Sequence, residues 1–299
     1  DGPRRDLHSF PKRRSSVRLL EGLGATTAYH ALLAEKSGAK ALYVSGGGVS
    51  AGSLGVPDLG ISTLNDVAVD VERICSCISL PVLVDIDTGW GGSFNIARAI
   101  KTLEKAGAAA IHIEDQIQQK RCGHRPNKAL VPKFEMLDRI KSAVDARVSD
   151  DLVIMARTDS LAQLGLEAAI DIMGACVDAG ADMVFPEAVS ELAVYKKITE
   201  SIAVPVLANI TEFGVTPLFT TDELISADVK IALYPLSAFR AANQAALNVY
   251  QQIITTGSQQ AVLEVMQTRE ELYEYLEYHR YEQQLDQLFS KEWSDVNSI

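Results

Sequence analysis

Short apolar runs alternate with longer segments of helical composition along most of the chain. Each run is apolar at nearly every position, which predicts a strand buried on both faces, as in a parallel sheet. Between the runs, segments such as 92–108 and 166–181 carry apolar residues three and four positions apart and end near a glycine, which predicts helices. The predicted strands lie within residues 23–28, 40–46, 81–87, 109–115, 152–158, 182–188, 204–210 and 229–235.

Eight strand-helix units predict an α/β protein with the (β/α)8 TIM barrel architecture. A doubly wound open sheet is the alternative. The length of 299 residues fits a single barrel domain, and we find no internal repeat or linker that would mark a second one. We therefore expect one domain over residues 22–299 that includes extra helices at its C-terminal end.

Both ends of the chain differ from this pattern. Beyond about residue 238, long helical segments are predicted at 238–257 and 268–293, and leucines among charges and tyrosines in the second suggest a face for a partner. Residues 1–21 are rich in Arg and Ser and lack apolar periodicity before Val17. We interpret residues 1–21 as a basic arm that is disordered, an artificial remnant or the end of a targeting segment, although two aspartates disfavour targeting.

Charge and cysteine usage narrow the class of function. The net charge of -11 disfavours nucleic acid and anionic membrane surfaces as partners, because the average field repels them. No apolar run approaches the roughly 20 residues that a membrane span needs. Four irregularly spaced cysteines indicate a reducing compartment, and we expect the cytoplasm.

Polar residues follow nearly every predicted strand. In a TIM barrel, the carboxyl ends of the strands and the loops after them carry the active site. Chance placement would put one or two polar residues there, whereas here almost every strand has a set. The candidates are Ser45, Gly46, Gly47, Asp85, Asp87, Glu114, Asp115, Arg157, Asp159, Glu187, Asn209 and Thr211.

The third strand suggests a metal site. On an extended strand, Asp85 and Asp87 share a face, and two facing carboxylates need a cation or a proton between them. Mg2+ prefers oxygen ligands and keeps several waters, so the pair suits it with Glu114 nearby. The alternative is a pair of helix caps or ion-pair partners. Among the other candidates, Arg157 could clamp a carboxylate in a bidentate manner, and the glycines at 45–48 could offer N–H groups to an anion.

The segment 119–128, "QKRCGHRPNK", places a cysteine among basic side chains. Positive charge stabilises a thiolate, and a thiol tuned in this way can act as a general acid. His124 could pair with Cys122 or contact a substrate carboxylate. Nucleophilic catalysis by the thiol and a passive cationic loop are the alternatives. We interpret His112, which alternates with apolar neighbours, as a packed core residue.

Several of these motifs together resemble a known family. "KRCGH" after "HIEDQ", with "VDIDTGWGG", "SGGGVSAGSLGVPD", "MARTD", "FPEA" and "LANITEFG", is similar to the isocitrate lyase and phosphoenolpyruvate mutase superfamily over about residues 22–290. The cysteine loop resembles the lyase branch, and the whole resembles the lyases that act on 2-methylisocitrate. The resemblance implies a (β/α)8 barrel whose last helix is exchanged between the subunits of a homotetramer.

The resemblance also implies a chemistry. Mg2+, for which Mn2+ could substitute, would be held by Asp85 and Asp87 with Glu114 close by, and Cys122 would be the general acid. The implied reaction is the retro-aldol cleavage of 2-methylisocitrate, a tricarboxylate, to pyruvate and succinate in propionate catabolism. The implied substrate contacts are Tyr43, Ser45, Gly46, Gly47, Asp58, Arg121, Gly123, His124, Arg157, Glu187, Asn209, Thr211, Arg240 and Arg269.

Alternatives within and outside the superfamily stay open. Isocitrate lyases carry long insertions for which 299 residues leave no room, and an oxaloacetate decarboxylase would not be expected to carry the cysteine loop. Ile86, Thr88 and Trp90 differ from the residues that methylisocitrate lyases often have there. A catalytically silent barrel would be expected to have lost part of the site. The segment before residue 22 does not match, so the mitochondrial matrix stays an alternative compartment.

Overall fold

The chain folds into two units, Asp1–Arg240 and Ala241–Ile299. The structure, a computed structural model, describes Phe10 and residues 19–296, with side chains as far as Phe289. Among the described residues, no helix is long and apolar enough to cross a membrane. Most of the predicted arm over residues 1–21 therefore lies outside the described residues.

Eight parallel strands form the centre of the first unit. They pair in the order β6-β5-β4-β3-β2-β1-β8-β7, and a parallel bridge between Val184 and Val206 brings the two outer strands together. The sheet is thus a nearly closed barrel, which confirms the (β/α)8 prediction and excludes the open doubly wound sheet. The strands are β1 (Leu20–Gly24), β2 (Ala41–Val44), β3 (Val82–Asp85), β4 (Ala110–Glu114), β5 (Val153–Thr158), β6 (Met183–Pro186), β7 (Leu207–Asn209) and β8 (Ile231–Tyr234).

Seven of the eight predicted runs contain their strand, and the first is displaced. β1 begins at Leu20 rather than at residue 23 and already ends at Gly24. The residues after Gly24 lead into the first helix, which begins at Ala28. There the Thr27 hydroxyl accepts the His30 N–H at 3.1 Å and caps that helix. The apolar run from 23 to 28 therefore spans a strand end and a helix start.

Helices surround the barrel in the first unit. The predicted helices within 92–108 and 166–181 are confirmed, and Gly107, with φ of 107°, ends the first of them in the left-handed conformation that favours glycine. Capping boxes at Thr63 and Thr220 begin two others. The helices are α1 (Ala28–Lys36), α2 (Gly46–Gly52), α3 (Leu64–Cys77), α4 (Ser93–Ala106), α5 (Lys133–Ala146), α6 (Leu161–Leu164), α7 (Leu166–Asp178), α8 (Leu192–Ser201) and α9 (Thr221–Ser226).

Alternation along the strands sorts side chains between two environments. Residues such as Val84, Ile111 and Ile154 belong to the core between strands and helices. Residues one position away, such as Leu83 and Met155, belong to a second cluster that fills the barrel interior. Two positions further along the same face, the side chains become polar at the carboxyl ends of the strands.

The second unit consists of helical segments. α10 (Ser237–Thr256) begins in the first unit and is followed by a short 3-10 helix (Gln260–Val265), α11 (Arg269–Tyr275) and α12 (Tyr278–Val296). The predicted single helix over 268–293 is therefore wrong. It is broken at Glu277, whose φ of 53° lies in the left-handed region, and the rings of Tyr273 and Tyr278 stack across the break at 4.3 Å. No glycine or proline marks this break in the sequence.

Candidate active site

Asp85 and Asp87 lie together at the end of β3, although not in the way the sequence suggested. β3 ends at Asp85, and Asp87 follows in a turn with φ of 48° instead of extending the strand. The turn places the Asp87 N–H 3.0 Å from Asp85 Oδ1 and leaves both side chains buried. The side chains of Asp85 and Asp87 are therefore brought together by a left-handed turn and not by the alternation of an extended strand.

The charges around this pair differ between its two members. Burial, followed by the charge of Asp85, raises the pKa of Asp87 to about 7. Burial alone would raise the pKa of Asp85 as well, but His112 and Lys120 lower it to about 2. The two carboxylates lie so close together that a cation or a proton must balance their negative charge, as expected from the sequence.

Lys120 supplies such a cation, a role that its place in the sequence does not indicate. Its Nζ lies 2.7 Å from Asp87 Oδ1 and also pairs with Asp58. Although its burial disfavours the charged form, Asp87 and its neighbours raise the pKa of Lys120 above its ordinary value. The sequence placed Lys120 only in the basic cluster around Cys122, whereas the structure turns it towards the carboxylates.

The donors near the pair fit a hard cation in part. Gly46 N–H donates to Asp85 Oδ2 at 3.0 Å, and the contact of Gly46 and Gly47 with a substrate stays a prediction. Glu114 Oε1 is buried and accepts no hydrogen bond from the described residues, so this oxygen could serve as a metal ligand. Within the part of the chain that the structure describes, no three His, Cys, Asp or Glu side chains form a complete metal-binding group. Two or three carboxylates with water would suit Mg2+, which commonly keeps several waters.

Arg157 is the centre of the cationic side of the site. Its guanidinium contacts Asp159 at 3.1 Å, Glu187 at 3.2 Å and Glu114 at 3.3 Å, and it lies over the Phe185 ring. Burial opposes its charge, but Asp159 and Glu114 raise the pKa of Arg157 well above its ordinary value. The predicted clamp is thus a permanent charge that three carboxylates hold in one orientation.

Tyr43 and His112 lie beside Asp85. The Tyr43 hydroxyl donates to Asp85 Oδ2 at 3.3 Å and contacts His112 Nε2 at 3.0 Å. Burial, and then Asp85, raises the pKa of Tyr43 well above its ordinary value, and burial lowers the pKa of His112 to about 4. His112 is fully buried, as expected for a core residue, but it faces the site and is neutral there.

The loop after β4 crosses the strand ends and carries Cys122. The Cys122 side chain is exposed, whereas Gly123 is buried against Arg157 and Glu187. A Cβ on Gly123 would lie 2.5 Å from Arg157 Nη2 and 2.6 Å from Glu187 Cγ. Only glycine therefore lets the loop approach the two charged groups this closely.

His124 fastens the same loop to the ends of β6 and β7. The Val215 N–H donates to His124 Nδ1 at 3.1 Å, so in the neutral ring the proton is on Nε2, 3.2 Å from Glu187 Oε1. Burial lowers the pKa of His124, which favours this neutral form. A Cβ on Gly214 would lie 2.8 Å from the ring, so glycine is required opposite it. His124 thus contacts Val215 through Nδ1 and Glu187 through Nε2.

The remaining predicted residues divide into those gathered at the strand ends and those that are not. Ser45 caps α2, and a Cβ on Gly47 would lie in tight contact with Asp58 Oδ2 at 3.2 Å. Asn209 Nδ2 lies 3.3 Å from Glu187 Oε1, and Thr211 is buried after β7. Arg240 is largely exposed and lies 3.7 Å from Glu212.

Arg269 begins α11 in the second unit, and its part in the site stays a prediction.

Comparison with known proteins decides the family. A family model described as phosphoenolpyruvate phosphomutase matches residues 16–254. The chain belongs to the phosphoenolpyruvate mutase/isocitrate lyase superfamily. Its relatives in the superfamily include 2-methylisocitrate lyase of Escherichia coli, 60% identical over 91% of this chain and 92% of the relative. The enzyme of the same name from Salmonella typhimurium is 61% identical over 90% of this chain and 92% of the relative.

Solved structures of the superfamily share the fold. A 2,3-dimethylmalate lyase superposes with a TM-score of 0.84 at 33% identity and covers 90% of each chain. A phosphonopyruvate hydrolase complex with oxalate and Mg2+ superposes with a TM-score of 0.79 at 28% identity, over 90% of this chain and 95% of that one. These similarities agree with the barrel derived above.

Proposed function

We propose that this protein cleaves 2-methylisocitrate to pyruvate and succinate, as part of propionate catabolism. The observation that carries the proposal is the pair of 2-methylisocitrate lyases that are 60% and 61% identical over nearly the whole chain. The arrangement of charges supports it, because a substrate with three carboxylates needs the cations that Arg157 and the loop after β4 present.

We also propose that Mg2+, with Mn2+ as a substitute, is the cofactor. Asp85 and Asp87 would hold it, with Glu114 offering a further oxygen, because the three carboxyl groups are buried and Glu114 Oε1 accepts no hydrogen bond from the described residues. When bound, the ion supplies positive charge for the oxygen that becomes anionic in the reaction. Lys120, which pairs with Asp87 and Asp58, would then share Asp87 with the ion.

The proposed reaction breaks the C2–C3 bond of the substrate. The C2 hydroxyl loses its proton, C2 becomes the carbonyl carbon of pyruvate, and the electron pair of the broken bond passes to the succinate fragment. Cys122, exposed on the loop, would donate its thiol proton to C3 of that fragment. Its chain neighbour Gly123 lies against Arg157 and Glu187, which supports a position of Cys122 above the strand ends.

The group that accepts the hydroxyl proton is left unassigned. Tyr43, whose hydroxyl lies 3.3 Å from Asp85 Oδ2, and a group linked to the metal are the two candidates for this base.

A pocket for the substrate methyl group needs apolar side chains, and Phe185, Leu233 and Pro235 are the candidates for its wall. Phe185 packs edge-on against His112 and under Arg157, at the floor of the site. Leu233 is buried in the barrel interior, and the Pro235 carbonyl crowds Gly24. A methyl-sized pocket is worth about 1–3 kcal/mol, so we propose measurable but lower activity on isocitrate.

The proposed substrate is tested by supplying Mg2+ with 2-methylisocitrate, isocitrate or oxaloacetate in separate assays. Pyruvate release from 2-methylisocitrate should have the highest kcat/KM, and excess EDTA should abolish it until Mg2+ is restored. A higher kcat/KM for isocitrate or for oxaloacetate would refute the substrate, and undiminished turnover in EDTA would refute the metal.

Cys122→Ser tests the acid. The variant should fold and bind substrate as the natural protein does, with kcat lowered by about 10²–10⁴-fold because the hydroxyl is a much weaker acid. Cys75→Ser, on α3, is the matched control and should keep kcat. Unchanged kcat in Cys122→Ser would end the assignment.

Two further proposals rest on the family and its relatives. We propose a homotetramer in which the last helix is exchanged between subunits, and light scattering after gel filtration would measure the mass. We propose a cytoplasmic location, in keeping with bacterial relatives.

A further inference from the structure

Two buried side chains hold the backbone on either side of Cys122. Before it, the Gln116 side-chain amide bonds twice to Arg121: its Oε1 accepts the Arg121 N–H and its Nε2 donates to the Arg121 carbonyl, both at 2.9 Å. After it, Lys128 Nζ donates to the Gly123 carbonyl at 2.6 Å. The residues immediately before and after Cys122 are therefore each held by the side chain of a residue five positions away in the same loop.

The two anchoring residues are themselves bonded to other elements, Gln116 through its backbone carbonyl and Lys128 through its side chain and its backbone carbonyl. Arg139 Nη1 on α5 donates to the Gln116 carbonyl at 2.7 Å and to the Glu114 carbonyl at 2.9 Å. Lys128 Nζ lies 2.5 Å from Asp159 Oδ1 at the end of β5, and the Gln163 side chain donates to the Lys128 carbonyl. Both anchors thus connect the loop to rigid elements.

Both anchoring residues, Gln116 and Lys128, are buried although they belong to a loop. Gln116 is 1% exposed and Lys128 is 8% exposed, although both belong to a loop whose neighbouring residues Arg121 and Cys122 are exposed. Placing a lysine in a buried position is costly unless it is paired, and here Asp159 supplies the charge and Gly123 the acceptor. A passive surface loop would have no need for either anchor.

We infer that Gln116 and Lys128 are positioning residues that together hold Cys122 at the height and orientation from which it reaches the substrate. The inference rests on the proposed function, since it takes Cys122 as the proton donor. Gln116 and Lys128 are not among the residues proposed to contact the substrate. Each acts only through the backbone next to Cys122.

Asp159 connects the loop that carries Cys122 to Arg157 at the end of β5. The same carboxylate that receives Lys128 also receives Arg157 Nε at 3.1 Å, and its backbone N–H donates to Asp115 Oδ1 at 2.9 Å. One buried carboxylate therefore sets the position of the loop and of the proposed substrate clamp. The proton donor and the cation that binds the substrate are aligned by a common partner.

The experiment compares Gln116→Met and Lys128→Met in the full chain with Mg2+ and 2-methylisocitrate. Because a misplacement of about 1 Å can cost roughly 100-fold in rate, kcat should fall by about that factor in each variant, and by more than KM rises. Hydrogen exchange measured by mass spectrometry without substrate should be faster at the Arg121 and Arg125 amides and unchanged in the barrel strands.

Lys133→Met is the matched control. Lys133 forms an exposed ion pair with Asp171 at 2.7 Å, so the same change there should leave kcat and loop exchange as they are. Asp159 keeps its bonds from Arg157 when Lys128 is replaced, so Lys128→Met is expected to fold. If it does not, Lys128→Arg, which keeps the charge, should show the same two effects more weakly.

Three outcomes would overturn the inference. They are a kcat within about twofold of the natural protein in either folded variant, loop exchange that does not change, and faster exchange throughout the barrel, which would indicate general destabilisation. Failure of the proposed function looks different: the natural protein would not release pyruvate from 2-methylisocitrate, while the exchange comparison would still decide whether the anchors hold the loop.

Discussion

The two ends of the barrel interior are built from the same strands and have opposite chemistry. On β3, β5 and β6 the apolar residues Leu83, Met155 and Phe185 are each followed two positions later by a charged one, which is Asp85, Arg157 or Glu187. The apolar positions join a buried cluster that also contains Phe10. The charged positions form the site.

The comparison shows how one sheet separates stability from function. At the apolar end, burial of side chains stabilises the fold in proportion to the area removed from water. At the charged end, burial costs free energy, which the ion pairs around Arg157 offset only as long as every partner is present. A change at the first end should therefore alter stability, and a change at the second should alter turnover.

Phe10→Ala tests the apolar end and should have the largest effect. Phe10 is 1% exposed among the side chains of the barrel interior, so its removal should lower the free energy of unfolding by about 3–5 kcal/mol. Urea denaturation measures this, and the folded variant should keep its kcat. Phe94→Ala, at a position 91% exposed, is the control and should stay within about 0.5 kcal/mol. Equal stabilities of the two variants would contradict the comparison.

Gly123→Ala tests the charged end with a single added methyl group. The new Cβ would lie 2.5 Å from Arg157 Nη2, so the loop must move away and kcat/KM should fall by about 100-fold, which equals about 2.7 kcal/mol in activation free energy. The urea midpoint should hardly change. Gly92→Ala, where a Cβ has no neighbour within 4 Å, is the control. Loss of stability without loss of rate in Gly123→Ala would reverse the assignment of the two ends.

The prediction with the smallest expected effect compares the Cys122 thiol of the loop with the Cys176 thiol in an apolar core. Cys176 on α7 is 1% exposed, and burial raises its pKa to about 12, so it is almost wholly protonated at pH 8. Iodoacetamide at pH 8 should therefore modify the exposed Cys122 and leave Cys176 intact, as peptide mass spectrometry would show. Modification of Cys176 at the rate of Cys122 would mean that the outer core opens as readily as the loop.

Local patterns in the sequence were enough for the architecture and for the residue types of the site. The apolar runs and the helical spacing predicted eight strand-helix units, because burial imposes a local period on each element. The strand-end position of Asp85, Arg157 and Glu187 followed from the same reasoning, since parallel strands all end at one face of a barrel.

Other features depended on contacts between distant parts of the chain. Lys120 pairs with Asp58, 62 positions away, and Phe10 fills the barrel from a segment without apolar periodicity. The break at Glu277 has no glycine or proline beside it in the sequence that would predict it.

What the sequence by itself determined was the set of elements, their order and the chemical groups at the strand ends, because these depend on the period of burial within each segment. What only the tertiary structure decided was which of those groups meet. Lys120 is two positions from Cys122 in the sequence, yet its Nζ lies 2.7 Å from Asp87 Oδ1, and Gly123 packs against Arg157 of β5. Such choices follow from distance and buried charge in three dimensions, which no local pattern encodes.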